Sequence, residues 1–149
     1  LKRIRNAWKG KLIVKGVMSQ EDAIKIKEAG ADGIQVSNHG GRQLESATSA
    51  INALPLIRKA LGQEFPLLFD SGIRSGGDIV RALALGADYV MIGRPLMYAI
   101  GADGAKGLRK ILDIIKGELS TTLGLVGLND INEITSDIIA QKFFKDMKY

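Results

Sequence analysis

A pattern of six residues recurs after 56 positions, and it constrains the fold of this chain more than any other feature. Gly, Ser, Asp and a Gly-Ala-Asp triplet stand in the same order in both copies. The first copy is Gly16, Ser19, Asp22, Gly30, Ala31 and Asp32, and the second is Gly72, Ser75, Asp78, Gly86, Ala87 and Asp88 (72 minus 16 and 88 minus 32 both give 56). Each copy joins two apolar runs through a helical pattern, so each predicts a strand–helix–strand unit.

Four short apolar runs are predicted to be buried parallel strands. They are rich in Val, Ile, Leu and Phe and lack the polar–apolar alternation of a half-exposed strand. The runs are Lys11–Lys15, Gly33–Ser37, Pro66–Asp70 and Tyr89–Gly93.

Helical patterns lie between and after these runs. Ser19 is predicted to cap the first helix, and Pro55 is expected to start or kink the main body of the second. The predicted helices are Gln20–Ala29, Ser46–Leu61, Gly76 or Gly77 to Leu85, Ala105 to about Leu123, and two short closing helices, Asp130–Thr135 and Asp137–Phe144.

This alternation predicts an α/β fold with a parallel sheet. One repeat length holds two strand–helix units of about 28 residues, the unit size of a (β/α)₈ TIM barrel of roughly 250 residues. Four units fill residues 1–149, so we expect one domain that is half of such a barrel, cut from a longer protein. A small open doubly wound sheet is the alternative, although no strand is followed by a GxGxxG fingerprint.

Composition excludes several classes of function. The net charge of +5 favours an anionic ligand but is too small and scattered to indicate nucleic-acid binding. The chain has no Cys, which excludes disulfides, thiolate metal sites and a Cys nucleophile, and no spacing of other ligands predicts a metal site. With no apolar run near the roughly 18 residues of a membrane helix, we expect a cytoplasmic protein.

The loop after the second predicted strand carries the residues best suited to catalysis. His39, the only His in the chain, stands in a polar loop beside Gly40 and Gly41, with Arg42 three residues further on. An imidazole near its ordinary pKa of about 6.5 suits proton transfer, and a guanidinium can hold a carboxylate at two points. A structural His and a solvated loop Arg are the alternative interpretation.

Two later loops are typical of phosphate binding. Asp70–Gly77 joins a strand end to a helix start and contains Arg74, and Gly93-Arg94-Pro95 follows the last strand. Successive backbone N–H groups and the positive end of a helix can bind an anion. Ordinary Gly-rich turns could have the same sequence, but the presence of two such loops in consecutive strand–helix units favours the phosphate-binding interpretation.

Basic residues also occur near the start of the chain. Lys15 ends the first predicted strand and is expected to meet an anion or ligand, or else to hold its ammonium group in water. A basic cluster, predicted to face solvent, precedes it: Lys2, Arg3, Arg5, Lys9 and Lys11.

Five motifs together resemble the FMN-dependent α-hydroxy acid oxidases and dehydrogenases, over nearly the whole chain but only the C-terminal half of the family barrel, strands 5 to 8. They are VKGV (14–17), SNHGGRQL (37–44), DSGIRSGGD (70–78), ALALGAD (82–88) and IGRP (92–95). The His-Gly-Gly-Arg loop is highly specific, whereas the Gly-Arg loops also resemble type 2 isopentenyl diphosphate isomerases and IMP dehydrogenases.

The resemblance implies FMN as cofactor and oxidation of a small L-2-hydroxy acid, such as lactate or glycolate, to the 2-oxo acid. His39 would be the base and Arg42 would bind the substrate carboxylate. Lys15 would contact the N1–C2 oxygen edge of the flavin. Ser37 would touch the flavin or ribityl chain. Ribityl and phosphate contacts would come from Asp70, Ser71, Gly72, Ile73 and Arg74, with Gly93 and Arg94 completing the phosphate grip.

Two departures and one gap qualify the resemblance. Glu45 replaces a frequent Asp, and Ser71 replaces a frequent second Gly. The strands that relatives place in their N-terminal half have no counterpart here, so we expect the chain to need that half or another chain, in a parent that is a tetramer by resemblance. The alternatives are another phosphate-gripping barrel enzyme and a half-barrel that holds FMN or phosphate without turnover.

Overall fold

The computed structural model describes residues 1–139 as alternating strands and helices. The bounds are α1 Lys2–Ala7, β1 Ile13–Val17, α2 Gln20–Glu28, β2 Gly33–Val36, α3 Ala50–Leu61, β3 Leu67–Phe69, α4 Gly76–Ala84, β4 Tyr89–Val90 and α5 Arg94–Leu125. Short 3₁₀ turns occur at His39–Gly41, Ile131–Glu133 and Ser136–Ile138. The predicted alternation of strands and helices is confirmed from β1 onward, whereas α1 was not predicted. None of these helices is both long and apolar enough to cross a membrane.

The four strands form one parallel sheet in the order β1-β2-β3-β4. Crossovers between parallel strands are right-handed, so strands in sequential order carry their connecting helices on one face of the sheet. A doubly wound sheet would need a reversal of strand order, which these four strands lack. The doubly wound alternative is therefore wrong, and the topology is that of a partial barrel.

The core lies between the sheet and its helices. Ile34, Val36 and Leu67 are fully buried, and they pack with Leu54 and Ile57 of α3. Such burial of large aliphatic side chains is the main source of stability, at about 1.5–3 kcal/mol for each.

The opposite face of the sheet and its edges remain open. Ile13 on β1 and Tyr89 on β4 are 49% and 62% exposed, and Met91 just after β4 is 45% exposed. In a closed barrel this face is filled by side chains from all the strands. The exposure of large apolar side chains here is therefore what a partial barrel predicts.

The repeated Gly-Ala-Asp triplets build two equivalent corners. Asp32 accepts a hydrogen bond from the Leu12 backbone N–H at 2.9 Å, and Asp88 accepts one from Leu67 at 2.7 Å. Each carboxylate also pairs with an arginine, Arg5 in the first corner and Arg58 in the second. The prediction that Arg5 faces solvent with the other basic residues is therefore wrong, because its guanidinium ties α1 to the start of β2.

Several predicted boundaries are wrong. The first strand runs from Ile13 to Val17 rather than from Lys11 to Lys15, because a register shift at Gly16 lets Val17 continue the pairing with Val36. The third predicted strand narrows to Leu67–Phe69 and the fourth to Tyr89–Val90. The second helix begins at Ala50, with Ser49 as its N-cap residue, and runs through Pro55 instead of starting there.

The C-terminal helices also differ from the prediction. Helix α5 begins at Arg94, eleven positions before Ala105, because Pro95 suits the first turn of a helix. Its dihedral angles break at Asp103 and Gly104, so the predicted helix is its second half. The first closing helix is only the 3₁₀ turn Ile131–Glu133, and the second retains Ser136–Ile138, while its positions 140–144 lie outside the described residues.

Candidate active site

A cleft of about 450 Å³ opens at the carboxyl ends of the four strands. Loops that follow parallel strands meet at this edge of a sheet, so residues far apart in sequence converge there. The lining residues are Lys15, Gln35, His39, Gly40, Arg42, Asp70, Ser71, Gly72, Ile73, Arg74, Met91, Ile92, Gly93, Arg94 and Met97. Ten of the eleven residues predicted for the site are among them, and the eleventh, Ser37, lies buried beneath.

Asp70 at the end of β3 organises the floor of the cleft. One of its oxygens accepts hydrogen bonds from Gln35 at 2.7 Å and from the Lys15 ammonium at 2.9 Å. The other oxygen accepts the Ser71 hydroxyl at 2.7 Å. Burial alone raises the pKa of this carboxyl group, but hydrogen bonds with Ser37, Lys15 and Ser71 outweigh it and hold the pKa of Asp70 below its ordinary value of 3.8.

The His39 turn, residues 39–41, lies over this floor in an uncommon conformation. His39 has φ 56° and Gly40 has φ 67°, both in the left-handed region. The backbone N–H of His39 donates to Ser37 Oγ at 3.1 Å, and that of Gly40 donates to Ser71 Oγ at 3.1 Å. Arg94 holds the same turn from the other side, because its guanidinium donates to the Gly40 carbonyl at 2.8 Å.

Gly16 lies directly against the imidazole ring of His39. The register shift between Lys15 and Val17 puts Gly16 at φ 94°, beneath the His39 ring. A Cβ at Gly16 would stand 3.1 Å from His39 Cε1, tighter than an ordinary van der Waals contact. The imidazole therefore rests directly on backbone, and a side chain at this position would push it away.

Positive charge dominates the rim of the cleft. The exposed Arg42 and Arg74 side chains and the partly buried Arg94 join Lys15 there, whereas Asp70 is the one carboxylate among the lining residues. An anionic ligand is favoured electrostatically at such a surface. Glycine adds room, since a Cβ on Gly72 or Gly93 would meet no described atom within 4 Å. Cationic side chains around open backbone fit the phosphate and polar edge of a nucleotide-like cofactor.

The start of α4 corrects one element of the phosphate prediction. The backbone N–H of Gly76 is taken by the Glu118 carboxylate at 2.9 Å, and those of Arg74 and Ser75 donate to Asp78. Burial raises the pKa of Asp78, but these backbone bonds and the Ser75 hydroxyl lower it below its ordinary value. The first backbone N–H of α4 is thus bonded within the protein, and open backbone for an anion lies at Gly72 and Gly93.

Sequence reasoning missed two contributors to the site. Gln35 orients Asp70, and Gly16 lies against the imidazole of His39. A signal for Gln35 was available, because a polar residue inside an apolar strand needs a partner when it is buried. Nothing in the local sequence marks the contact between Gly16 and His39, which joins loops from two different strands.

Comparison with known proteins identifies relatives of the whole arrangement. A family model described as FMN-dependent dehydrogenase matches residues 1–141. The L-lactate dehydrogenase of Caulobacter vibrioides (strain NA1000 / CB15N) is 48% identical over 142 residues, which are 95% of this chain and 37% of the relative. That of Pseudomonas syringae pv. syringae (strain B728a) is 47% identical over 141 residues, with coverage of 95% and 37%.

Solved structures agree with the sequence relatives. A structure described as the monotopic membrane protein (S)-mandelate dehydrogenase superposes with a TM-score of 0.88 at 42% identity, covering 92% of this chain and 36% of that one. Mandelate oxidase with (S)-4-hydroxymandelic acid superposes with a TM-score of 0.83 at 41% identity, covering 88% and 37%. The chain therefore spans little more than a third of the length of its relatives.

A match over more than nine-tenths of the chain, together with a cationic cleft at the strand ends, has one consistent interpretation: the chain belongs to the FMN-dependent dehydrogenase family, whose cofactor is FMN.

Proposed function

We propose that this chain is the C-terminal half, strands 5 to 8, of an FMN-dependent enzyme that oxidises a small L-2-hydroxy acid to the 2-oxo acid. The observation that carries the proposal is the convergence of His39, Arg42, Lys15, Arg74 and Arg94 on one cleft. A base, a carboxylate clamp and a phosphate grip are the groups that this reaction needs from the protein.

The donor set fits FMN. Arg74 and Arg94, with the open backbone at Gly72 and Gly93, would hold the phosphate, and Asp70 with its neighbours would face the ribityl chain. When bound, FMN supplies the acceptor for the two electrons that leave the substrate. Lys15 places a positive charge at the floor of the cleft, where it would offset negative charge developing on the bound group.

The substrate would bind at the exposed side of the His39 turn, beside Arg42. Arg42 stands one residue beyond the turn with an exposed guanidinium, which can bind the carboxylate of the acid at two points. His39 accepts the proton that leaves the substrate, since its ring packs on Gly16 at the cleft and its backbone N–H is held by Ser37.

The relatives' length and the open sheet together support a requirement for more polypeptide. The exposed inner face around Ile13, Tyr89 and Met91 would be covered by the strands of an N-terminal half. We infer that catalysis needs that half, supplied in the same protein or by another chain, and that the parent enzyme is a homotetramer. A cytoplasmic location stays a prediction.

A titration of the chain with FMN tests the cofactor site. FMN should bind and give a yellow protein, and Arg74→Gln and Arg94→Gln should each weaken binding by about tenfold, because each removes a charge-assisted contact to phosphate. Arg3→Gln, a charge change on exposed α1, is the matched control and should leave the affinity unchanged. Equal affinity in all four proteins would contradict the phosphate grip.

Bleaching of the flavin by L-lactate or glycolate, measured in the intact parent enzyme, tests the reaction. His39→Gln should slow bleaching by about 100-fold or more while FMN stays bound, since it removes the general base. Arg42→Lys should weaken apparent acid affinity by about tenfold, because a point charge replaces a two-point clamp. Normal bleaching by His39→Gln would remove His39 from the role of base.

A second candidate is an FMN-holding module without turnover. The observation in its favour is that both sheet edges and the inner face are open in a chain covering 37% of its relative. A protein that turns yellow but never bleaches with any 2-hydroxy acid, alone or with the N-terminal half of a relative, would identify this module.

A further inference from the structure

We infer that Ser71 is a positioning residue: its hydroxyl joins the Asp70 carboxylate to the His39 turn and so sets the place of the imidazole. The inference goes beyond the proposed function, which gives Ser71 only a place in the lining of the cofactor site. It also rests on that function, because it takes His39 to be the base.

The hydrogen bonds of Ser71 leave its hydroxyl with little capacity for a ligand. A hydroxyl has one hydrogen to donate and two lone pairs to accept with. The hydrogen goes to Asp70 Oδ1 at 2.7 Å, and one lone pair takes the Gly40 N–H at 3.1 Å. The Ser37 hydroxyl lies 3.5 Å away on the remaining side. Ser71 therefore connects parts of the protein to one another.

The backbone of Ser71 is in a strained conformation, which the hydrogen bonds of its side chain help to maintain. Ser71 has φ 81°, a region that residues with a Cβ seldom occupy. Glycine would adopt this angle freely, and the neighbouring Gly72 does so at φ 97°. A non-glycine residue persists in such a conformation when its surroundings hold it there, and such residues cluster at functional sites.

The hydrogen bonds of Ser71 join the two groups that position Lys15 and His39. The carboxylate that Ser71 contacts also anchors Lys15, and the backbone N–H that it accepts belongs to the residue after His39. The Ser37 hydroxyl accepts both Lys15 Nζ at 2.9 Å and the His39 N–H at 3.1 Å. The two serines thus tie the floor cation and the imidazole turn into one network, in which Ser71 supplies the link to the end of β3.

Two variants separate the hydroxyl from the backbone strain. Ser71→Ala removes the hydroxyl and keeps the Cβ at positive φ, whereas Ser71→Gly removes the hydroxyl and relaxes the backbone. A change in the His39 signal that is caused by loss of the hydroxyl should appear in both variants, whereas a change caused by relief of backbone strain should appear only in Ser71→Gly. Ser75→Ala is the matched control, because its hydroxyl caps α4 in the same loop and makes its contacts with Asp78.

The test uses the full 149-residue chain and NMR spectroscopy. The chain has a single His, so its Cε1–H resonance reports the His39 ring alone. In both Ser71 variants we expect this resonance to shift and the Gly40 amide to exchange with solvent about tenfold faster. Ser75→Ala should leave both signals unchanged.

The outcomes decide the inference independently of the cofactor. A His39 resonance and Gly40 exchange rate in Ser71→Gly equal to those of the parent chain would overturn it, as would equal changes in Ser75→Ala. If Ser71→Ala does not fold, Ser71→Gly still decides, since its backbone is unstrained. Failure of FMN to bind would contradict the proposed function and leave these signals interpretable.

Discussion

The two copies of the repeat have the same sequence pattern and differ in how completely each is built. In the first copy Ser19 accepts the Asp22 backbone N–H. In the second copy Ser75 and Asp78 bond reciprocally as a full capping box. The pattern therefore determines that a helix begins, while the surroundings decide how firmly its end is held.

The corner arginines show the larger difference. Both arginines donate to backbone carbonyls as well as to their Asp, Arg58 to four of them and Arg5 to three. The Arg58 side chain is 6% exposed, whereas that of Arg5 is 22% exposed at the edge of the sheet, beside strand β1. The second corner lies inside the body of the protein, and the first lies at the border of the sheet.

The repeated glycines are used in opposite ways. Gly16 at φ 94° packs against the His39 ring, whereas Gly72 at φ 97° faces open space on the cleft. One glycine leaves room for part of the protein and the other leaves room for a ligand. Equivalent positions of the repeat thus lie against the imidazole in one copy and leave open space on the cleft in the other.

Removal of the corner arginines should give the largest contrast. Arg58→Ala should lower the free energy of unfolding by about 3 kcal/mol or more, because it leaves four carbonyls and a carboxylate without their buried partner. Arg5→Ala should cost clearly less. Urea unfolding of both variants measures the difference, and similar losses would show that the two corners are equally integrated.

Alanine at the two glycines should separate strain from contact. Both variants should lose about 1–2 kcal/mol, since a Cβ is strained at positive φ. The His39 Cε1–H resonance should move in Gly16→Ala and stay in place in Gly72→Ala, while FMN affinity should fall in Gly72→Ala. An unmoved His39 resonance in Gly16→Ala would mean that Gly16 does not seat the ring.

The capping residues should give the smallest contrast. Asp78→Asn should cost about 1 kcal/mol at pH 7, and Asp22→Asn should cost less because Asp22 does not complete a box. Folding lowers the pKa of Asp78, so its contribution is full above its ordinary value of 3.8 and is lost as the pH falls through the lower folded value. Thermal unfolding at pH 7 and near pH 2 should show a smaller penalty at the lower pH.

Much of the fold could be predicted from local pattern. Apolar runs without alternation indicate covered parallel strands, and the two Ser-x-x-Asp and Gly-Ala-Asp signals mark helix starts and strand starts. The weakest predictions concern places where local signals compete with distant contacts. The register shift at Gly16 extends β1 beyond Lys15, and Asp103 and Gly104 interrupt α5 without ending it.

The candidate site could be predicted because its residues follow strands, and loops after parallel strands must meet at one edge. That rule brings His39, Asp70 and Arg94 together without any knowledge of side-chain direction. The rule does not predict which N–H groups and side chains of these loops are already hydrogen-bonded within the protein. Glu118 lies 42 positions from the Gly76 N–H that it satisfies, and no local signal predicts that contact.

The amino-acid order by itself determined the parallel strand–helix alternation and the set of loops that form the cleft, because these depend on hydrophobic periodicity and on the Gly and Ser signals at the ends of the helices. Only the tertiary structure decided that Gly16 lies against the His39 ring, that Arg94 donates to the Gly40 carbonyl, and that the Ser71 hydroxyl joins Asp70 to the Gly40 N–H. Those contacts join loops from different strands, and their geometry follows from how the sheet brings the loops together.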